Sequence, residues 1–142
     1  MEIVEVQNKK QLKDAFSVRT NVFVHEQQVP EAIEKDSLDQ QATHFVGYID
    51  NKPVAAARYR IELDYAKLER ICVVKAFRGQ SLGKELILHI EKSLLQKGVG
   101  KVKLGAQTHA ELFYLKLGYQ TASSVFLDAD MPHVMMEKQL FN

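Results

Sequence analysis

The residue types best suited to chemistry concentrate in one stretch, Val73-Val74-Lys75-Ala76-Phe77-Arg78-Gly79-Gln80-Ser81-Leu82-Gly83-Lys84. An apolar run passes there into a loop with two glycines and then directly into a helical pattern. The first amides of a helix have no intrahelical acceptor, and the aligned peptide dipoles add partial positive charge. Small residues let a pyrophosphate approach such donors, and Arg78 and Lys84 flank the turn with full charges. The same stretch also fits a plain strand-to-helix turn whose glycines serve backbone geometry alone. It is not a nucleoside-triphosphate loop, because no Gly-Lys-Ser/Thr follows at the required spacing, and Gly79 and Gly83 do not fit G-x-G-x-x-G. The five histidines show no metal-ligand spacing such as H-E-x-x-H, so no metal is expected. Cys72 lies between Ile71 and Val73 and reads as a small buried residue rather than a nucleophile. No G-x-S-x-G elbow occurs.

The elements that must position this stretch follow from periodicity. Ile3 to Val6 alternates with acids and predicts a short first strand. Lys9 to Gln27 predicts a helix with Leu12, Phe16 and Phe23 on one face, flanked by Ala15 and Val22, and Pro30 ends that segment. Glu31 to Gln41 is acidic and predicts a loop with a short helical turn. Thr43 to Ile49 and Val54 to Leu63 predict a hairpin around Asp50-Asn51-Lys52-Pro53. Lys67 to Val74 predicts a further strand. Ser81 to Lys97 is the clearest helix, with Leu82, Leu86, Ile90 and Leu94 every fourth residue and Gly98 at its stop. A strand at Val102 to Ala106, a short helix at Ala110 to Leu117 closed by Gly118, and strands at Gln120 to Phe126 and His133 to Leu140 complete the chain. One helix between the strands 67–74 and 102–106 makes those two parallel neighbours. The expected fold class is α/β with a mixed sheet, in one domain spanning 1–142.

Composition narrows the function classes. The chain has 142 residues, 46% hydrophobic and 26% charged, which fits a globular domain and is too apolar for disorder. Nineteen Lys+Arg against eighteen Asp+Glu leave a net charge of +1, without the basic excess of a general nucleic-acid binder. One cysteine excludes an intramolecular disulfide framework and a multi-cysteine zinc site. No apolar stretch approaches a membrane span, and the N-terminus lacks the pattern of a signal peptide, so a cytoplasmic protein is expected.

Leu68 to Leu86 resembles motif A of the GNAT acetyltransferase superfamily, Q/R-x-x-G-x-G/A, with Arg78, Ser81 and Gly83 at the defined positions. Ser81 stands where glycine is usual; it is small, and a hydroxyl at a helix start also suits a cap. The resemblance implies that acetyl-coenzyme A is the cosubstrate. Its pyrophosphate would contact Arg78, Gly79, Gln80, Ser81, Leu82, Gly83 and Lys84, and its pantetheine arm would contact Ile71, Cys72 and Val73. Leu104 to Tyr119 is similar to the family's motif B, ending Phe-Tyr-x-x-x-Gly-Phe/Tyr, matched by Phe113, Tyr114, Gly118 and Tyr119. Gln107 stands where asparagine often contacts the cofactor. A third match, Arg19 to Gln27 followed by Asp36, Asp39 and His44, resembles a branch of small stand-alone bacterial GNAT proteins. In the superfamily the first helices line the acceptor pocket.

The resemblance therefore covers nearly the whole chain. It implies a GNAT fold, with a mostly antiparallel sheet splayed at two central parallel strands and flanked by helices. It implies direct transfer of an acetyl group from acetyl-coenzyme A to a primary amine of a small molecule or peptide. Tyr114 would act as general acid toward the coenzyme A thiolate, with the Val73 N–H an oxyanion donor. Glu69 or water would act as base, with His133, near Asp128 and Asp130, the runner-up. Family members are often dimers. A non-enzymatic acyl-coenzyme A sensor or interaction module is the alternative reading.

Overall fold

The computed structural model describes residues 1–141; Asn142, the last residue of the expected domain, lies outside the described residues. Eight strands form one sheet: β1 Glu2–Glu5, β2 Thr43–Ile49, β3 Lys52–Glu62, β4 Tyr65–Val73, β5 Lys101–Gln107, β6 Gln120–Thr121, β7 Phe126–Asp128 and β8 Met131–Gln139. Their order is β1-β2-β3-β4-β5-β8-β6, with β7 also paired to β8. Only β4 and β5 run parallel among these pairings. The mixed α/β class and the parallel neighbours expected from the intervening helix are both found.

The helices are α1 Lys9–Arg19, α2 Glu31–Glu34, α3 Leu82–Gln96 and α4 Glu111–Lys116. They cover the sheet on two sides. Leu82, Leu86, Ile87, Ile90 and Leu94 of α3 are buried in one cluster with Phe45, Ala55, Ala57, Leu68 and Leu104. Ala15, Val18 and Val22 pack in a second cluster with Val46, Ala56 and Cys72. Strand alternation divides Ala55 and Ala57 from Ala56 in just this way.

The first helix departs from expectation in two respects. Its buried stripe is Ala15, Val18 and Val22, while Leu12, Phe16 and Phe23 are only half-buried. Small and β-branched residues let the helix lie close against Val46 and Ala56, which bulky Leu12 and Phe16 could not. After Arg19 the chain continues as a π-helix from Thr20 to Glu26, closed by Gln27 N–H donating to the Val22 carbonyl at 3.0 Å. Two further differences lie in the strands. The β2–β3 turn is tighter than expected: Asp50 and Asn51 both adopt positive φ, so the strand resumes at Lys52. The expected strand 120–126 divides into β6 and β7, and the Ser123 hydroxyl accepts from the Met135 N–H at 2.8 Å in place of a ladder bond. Among the described residues no helix is long and apolar enough to cross a membrane.

Between α1 and the sheet lies an ionic network. Arg19 and Arg58 are each 1% exposed. Arg19 donates to both Glu34 carboxylate oxygens (3.2 and 2.9 Å) and to Asp39 (2.7 Å). Arg58 donates to Asp36 (2.8 Å), Asp39 (2.6 Å) and Glu69 (3.2 Å). Burial would raise the Asp39 pKa, but the two guanidiniums outweigh it and hold the carboxyl below its usual range. Hydrogen bonding from Arg58 likewise lowers Asp36. Arg19, Asp36 and Asp39, which the sequence placed in an acceptor-pocket segment, thus form the buried frame beneath it.

Arg58→Met would remove the guanidinium that Asp36, Asp39 and Glu69 share, leaving each with a single arginine, and should lower unfolding free energy by about 3 kcal/mol in urea titrations. Folded-state carboxyl pKa values lie below the unfolded value of about 4, so their stabilisation is full above that pH and lost as pH falls through the folded values. The gap between wild type and Arg58→Met should therefore narrow below about pH 4. A gap that stays constant with pH would dissociate the network from acid stability.

Candidate active site

The central parallel pair is short. β4 and β5 are in register only from Ala66, Lys67 and Leu68 to Val102, Lys103 and Leu104. Beyond Leu68 the strands part. A bulge begins there: Cys72 pairs with Ala56 and Glu69 with Arg58, so Arg70 and Ile71 together oppose Ala57. Arg70 adopts φ 57°, and such a bulge bends its strand and increases local twist. Val74 N–H donates to the Val54 carbonyl at 2.9 Å, so the backbone of the preceding residue faces the other way, toward the gap. The Val73 N–H is therefore free on that side. Its carbonyl accepts from Arg78 Nε at 3.0 Å. A cavity of about 910 Å³ fills the gap and is walled by β4, the 77–83 loop, α4, the π-helix and the β7–β8 hairpin.

At one end of the cavity the loop arrives at α3 with Gly79 at φ 83° and Ser81 at φ 62°. The expected capping role of the Ser81 hydroxyl is not found: a cap residue presents its side chain from an extended backbone, whereas Ser81 is left-handed and makes no cap bond. Among the described residues, the amides from Gly79 to Lys84 have no backbone or side-chain acceptor outside regular helix bonding. These uncapped donors at the start of a fifteen-residue helix are the kind of group that can hold an anion. A Cβ on Gly83 would stand 3.4 Å from Phe113 Cζ, so the helix start packs in close contact with that ring. Gly79, Ser81, Leu82 and Gly83 line the cavity, as do Ile71, Cys72 and Val73. Gln80 and Lys84 are exposed and lie outside its wall. Arg78 lines it too, but its guanidinium makes two 2.6 Å bonds to the Glu26 carboxylate.

The Tyr114 side chain is 7% exposed and packs edge-to-face on Phe113 and Tyr119. Its hydroxyl has no protein partner, and among the described residues no fully buried side-chain oxygen or nitrogen lacks one. The hydroxyl is therefore open to the cavity. Burial, with the Cys72 thiol beside it, raises its pKa, so it keeps its proton at neutral pH. Burial also pushes Cys72 up to about 12, which leaves a protonated thiol and no nucleophile. Gln107 donates to Gln27 at 3.0 Å and shares a 2.6 Å bond with His109 Nε2, joining β5 to the π-helix across the cavity.

Glu69 lines the cavity but is not free. It accepts from Arg60 Nε at 2.8 Å and from Arg58 Nε at 3.2 Å. Burial would raise its pKa, but the Arg60 hydrogen bond and the Arg58 charge hold it below its usual range. A carboxylate so held is a weak proton acceptor, and this departs from the expectation of a base. His133 sits on the facing wall beside Phe126.

Several wall residues fall in segments that the sequence connected with the acceptor side or with His133, but without a place for each side chain. Phe23, Glu26 and Gln27 reach the cavity through the wider turn of the π-helix, which a 3.6-residue period does not anticipate. Phe126, Asp128 and Met131 arrive through a two-residue turn, Ala129 and Asp130, both at positive φ. The Ala129-Asp130 dipeptide carried no glycine to mark it.

The family model described as "Acetyltransferase (GNAT) domain" matches residues 5–140. "Uncharacterized N-acetyltransferase YjcF" of Bacillus subtilis (strain 168) is 45% identical over 139 residues, 97% of this chain and 99% of the relative. An acyl-CoA N-acyltransferase from Pseudomonas aeruginosa is 26% identical with TM-score 0.87, covering 97% of this chain and 99% of that one. An aminoglycoside 6'-N-acetyltransferase solved with coenzyme A shares the fold at 15% identity, TM-score 0.80, over 100% of this chain and 98% of that one.

Left-handed backbone at a side-chain-bearing residue costs about 1–2 kcal/mol. Ser81→Gly should therefore raise thermal and urea stability by about 1 kcal/mol, because it removes that cost without breaking a cap. A drop in stability would show that Ser81 makes a contact absent from this structure.

Proposed function

The chain belongs to the GNAT acetyltransferase family, and we propose that it transfers the acetyl group of acetyl-coenzyme A directly to a primary amine of a small molecule or peptide. The observation that carries this reading is one continuous cavity with an uncapped helix start at one end, a free strand edge at Val73 and an unpartnered tyrosine hydroxyl. The three match the parts of the cofactor: anionic pyrophosphate, amide-bearing pantetheine and thioester sulfur.

Donors at Gly79, Ser81, Leu82 and Gly83 would hold the pyrophosphate. The backbone of Val73 would pair with the pantetheine arm, with Ile71 and Cys72 beside it. When bound, the cofactor supplies an acyl carbon activated by its thioester. Fixed alignment of the amine with that carbon supplies much of the rate, and the Val73 N–H is placed to stabilise the developing oxyanion. Tyr114 protonates the departing thiolate. Glu69, ionised in its arginine pair, draws a cationic amine to the acceptor side rather than stripping its proton. The π-helix wall of Val22, Phe23 and Gln27 shapes that side, and substrate choice is assigned to it.

Calorimetric titration with acetyl-coenzyme A should show one site per chain, and thiol release should follow on adding an amine panel. Tyr114→Phe removes a hydroxyl that bonds nothing, so stability and cofactor affinity should hold while kcat falls about a hundredfold. An unchanged kcat would remove Tyr114 from the mechanism. Binding without turnover across the panel would instead favour a sensor of acyl-coenzyme A.

A further inference from the structure

His133 is the third residue of β8, just after the turn at Ala129 and Asp130, and it is 7% exposed. Its Nδ1 lies 2.8 Å from the Met131 carbonyl oxygen. A carbonyl cannot donate, so Nδ1 carries the hydrogen, and in the neutral ring Nε2 carries the lone pair. Stacking on Phe126, with centroids 5.9 Å apart and planes 28° apart, fixes the ring orientation. Nε2 has no protein partner. Since no fully buried side-chain nitrogen lacks one among the described residues, Nε2 is open to the cavity that His133 lines. The Tyr114 hydroxyl opens into the same space.

Three of the four carboxylates on the cavity wall are occupied, and the fourth, Asp128, is exposed on β7. Glu69 is bonded to Arg58 and Arg60, Glu34 to Arg19 and Arg70, and Glu26 to Arg78. The charged and titratable groups on elements packed against His133 are Asp128 of β7, Asp130 of its turn, and His109 beside Gln107, the β5 partner of His133. Lys101 and Lys103 stand toward the opposite end of β5, and Glu137 and Lys138 lie further along β8 itself.

We propose that His133 is the group that deprotonates the acceptor ammonium, with Nε2 as the receiving atom. This rests on the acyl-transfer reading above. The ammonium N–H bond breaks and its proton forms a bond to Nε2, giving imidazolium. The amine lone pair then attacks the thioester carbon. As the tetrahedral intermediate collapses, the C–S bond breaks and sulfur takes the Tyr114 proton. Tyr114 recovers a proton from the intermediate's nitrogen, and His133 releases its own to solvent. The products are the amide, the free thiol and one proton.

His133→Asn keeps a donor for the Met131 carbonyl and removes the base; His133→Phe keeps the stack and serves as a second variant. The test is the pH profile of kcat/KM for thiol release from acetyl-coenzyme A, using the best alkylamine of a panel, alongside cofactor titration. His133→Asn should lose about a hundredfold at neutral pH with cofactor affinity unchanged. The deficit should shrink toward alkaline pH, about tenfold per unit, as solution supplies the neutral amine. A deficit constant across pH, or no deficit, in both variants while wild type turns over would overturn the role of His133 alone. Wild type that turns over no amine would instead sink the acyl-transfer reading, and this inference with it.

Discussion

Two guanidiniums with almost no access to solvent set the conditions for the rest of the molecule. Arg19 and Arg58 cannot shed their charge, and an unpaired buried charge is prohibitive, so the chain must bring carboxylates to them. The segment 31–41 does this. Glu34, Asp36 and Asp39 fold beneath α1, held further by Arg70 reaching back from the β4 bulge to Glu34. One requirement thereby fixes α1, the acidic loop, β3 and β4 in a single arrangement. The opening in the sheet borders that arrangement, so one side of its wall is anchored by buried ion pairs.

The parting of β4 and β5 is the second consequence. A parallel pair held by only three residue pairings leaves a strand edge exposed within the middle of a sheet. Natural sheets seldom leave such an edge without cover, because unpaired N–H and carbonyl groups invite pairing. Here the open edge sits inside a walled cavity, where a slender amide-bearing ligand can reach it and another protein strand cannot.

Local periodicity made much of this legible. The recurrence of Leu82, Leu86, Ile90 and Leu94 at every fourth residue placed α3, and the glycine loop before it located the candidate anion site. The parallel pair followed from one helix joining two strands. Features that depend on contacts between distant residues were not legible. Glu69 read as a candidate base because its partners Arg58 and Arg60 lie on another strand, and only register brings them opposite. Ser81 read as a cap because its residue type suits one, while its left-handed backbone, which residue type does not reveal, leaves it without a cap bond. The π-helix shifts Phe23, Glu26 and Gln27 by a widened turn that side-chain pattern does not encode. His133 stood out as a residue, but its tautomer depends on a carbonyl in a tight turn that carried no glycine.

The clasp between Arg78 and Glu26 has a consequence for the cofactor's negative charge. A guanidinium already bound through both arms to a carboxylate is not a vacant cation. Any phosphate that reaches Arg78 displaces Glu26, and the net gain is the difference between two ion pairs of similar strength. The neutral amides of the helix start, which need release nothing, would therefore carry the greater part of the proposed anion binding at this mouth, with a correspondingly shallow sensitivity to salt.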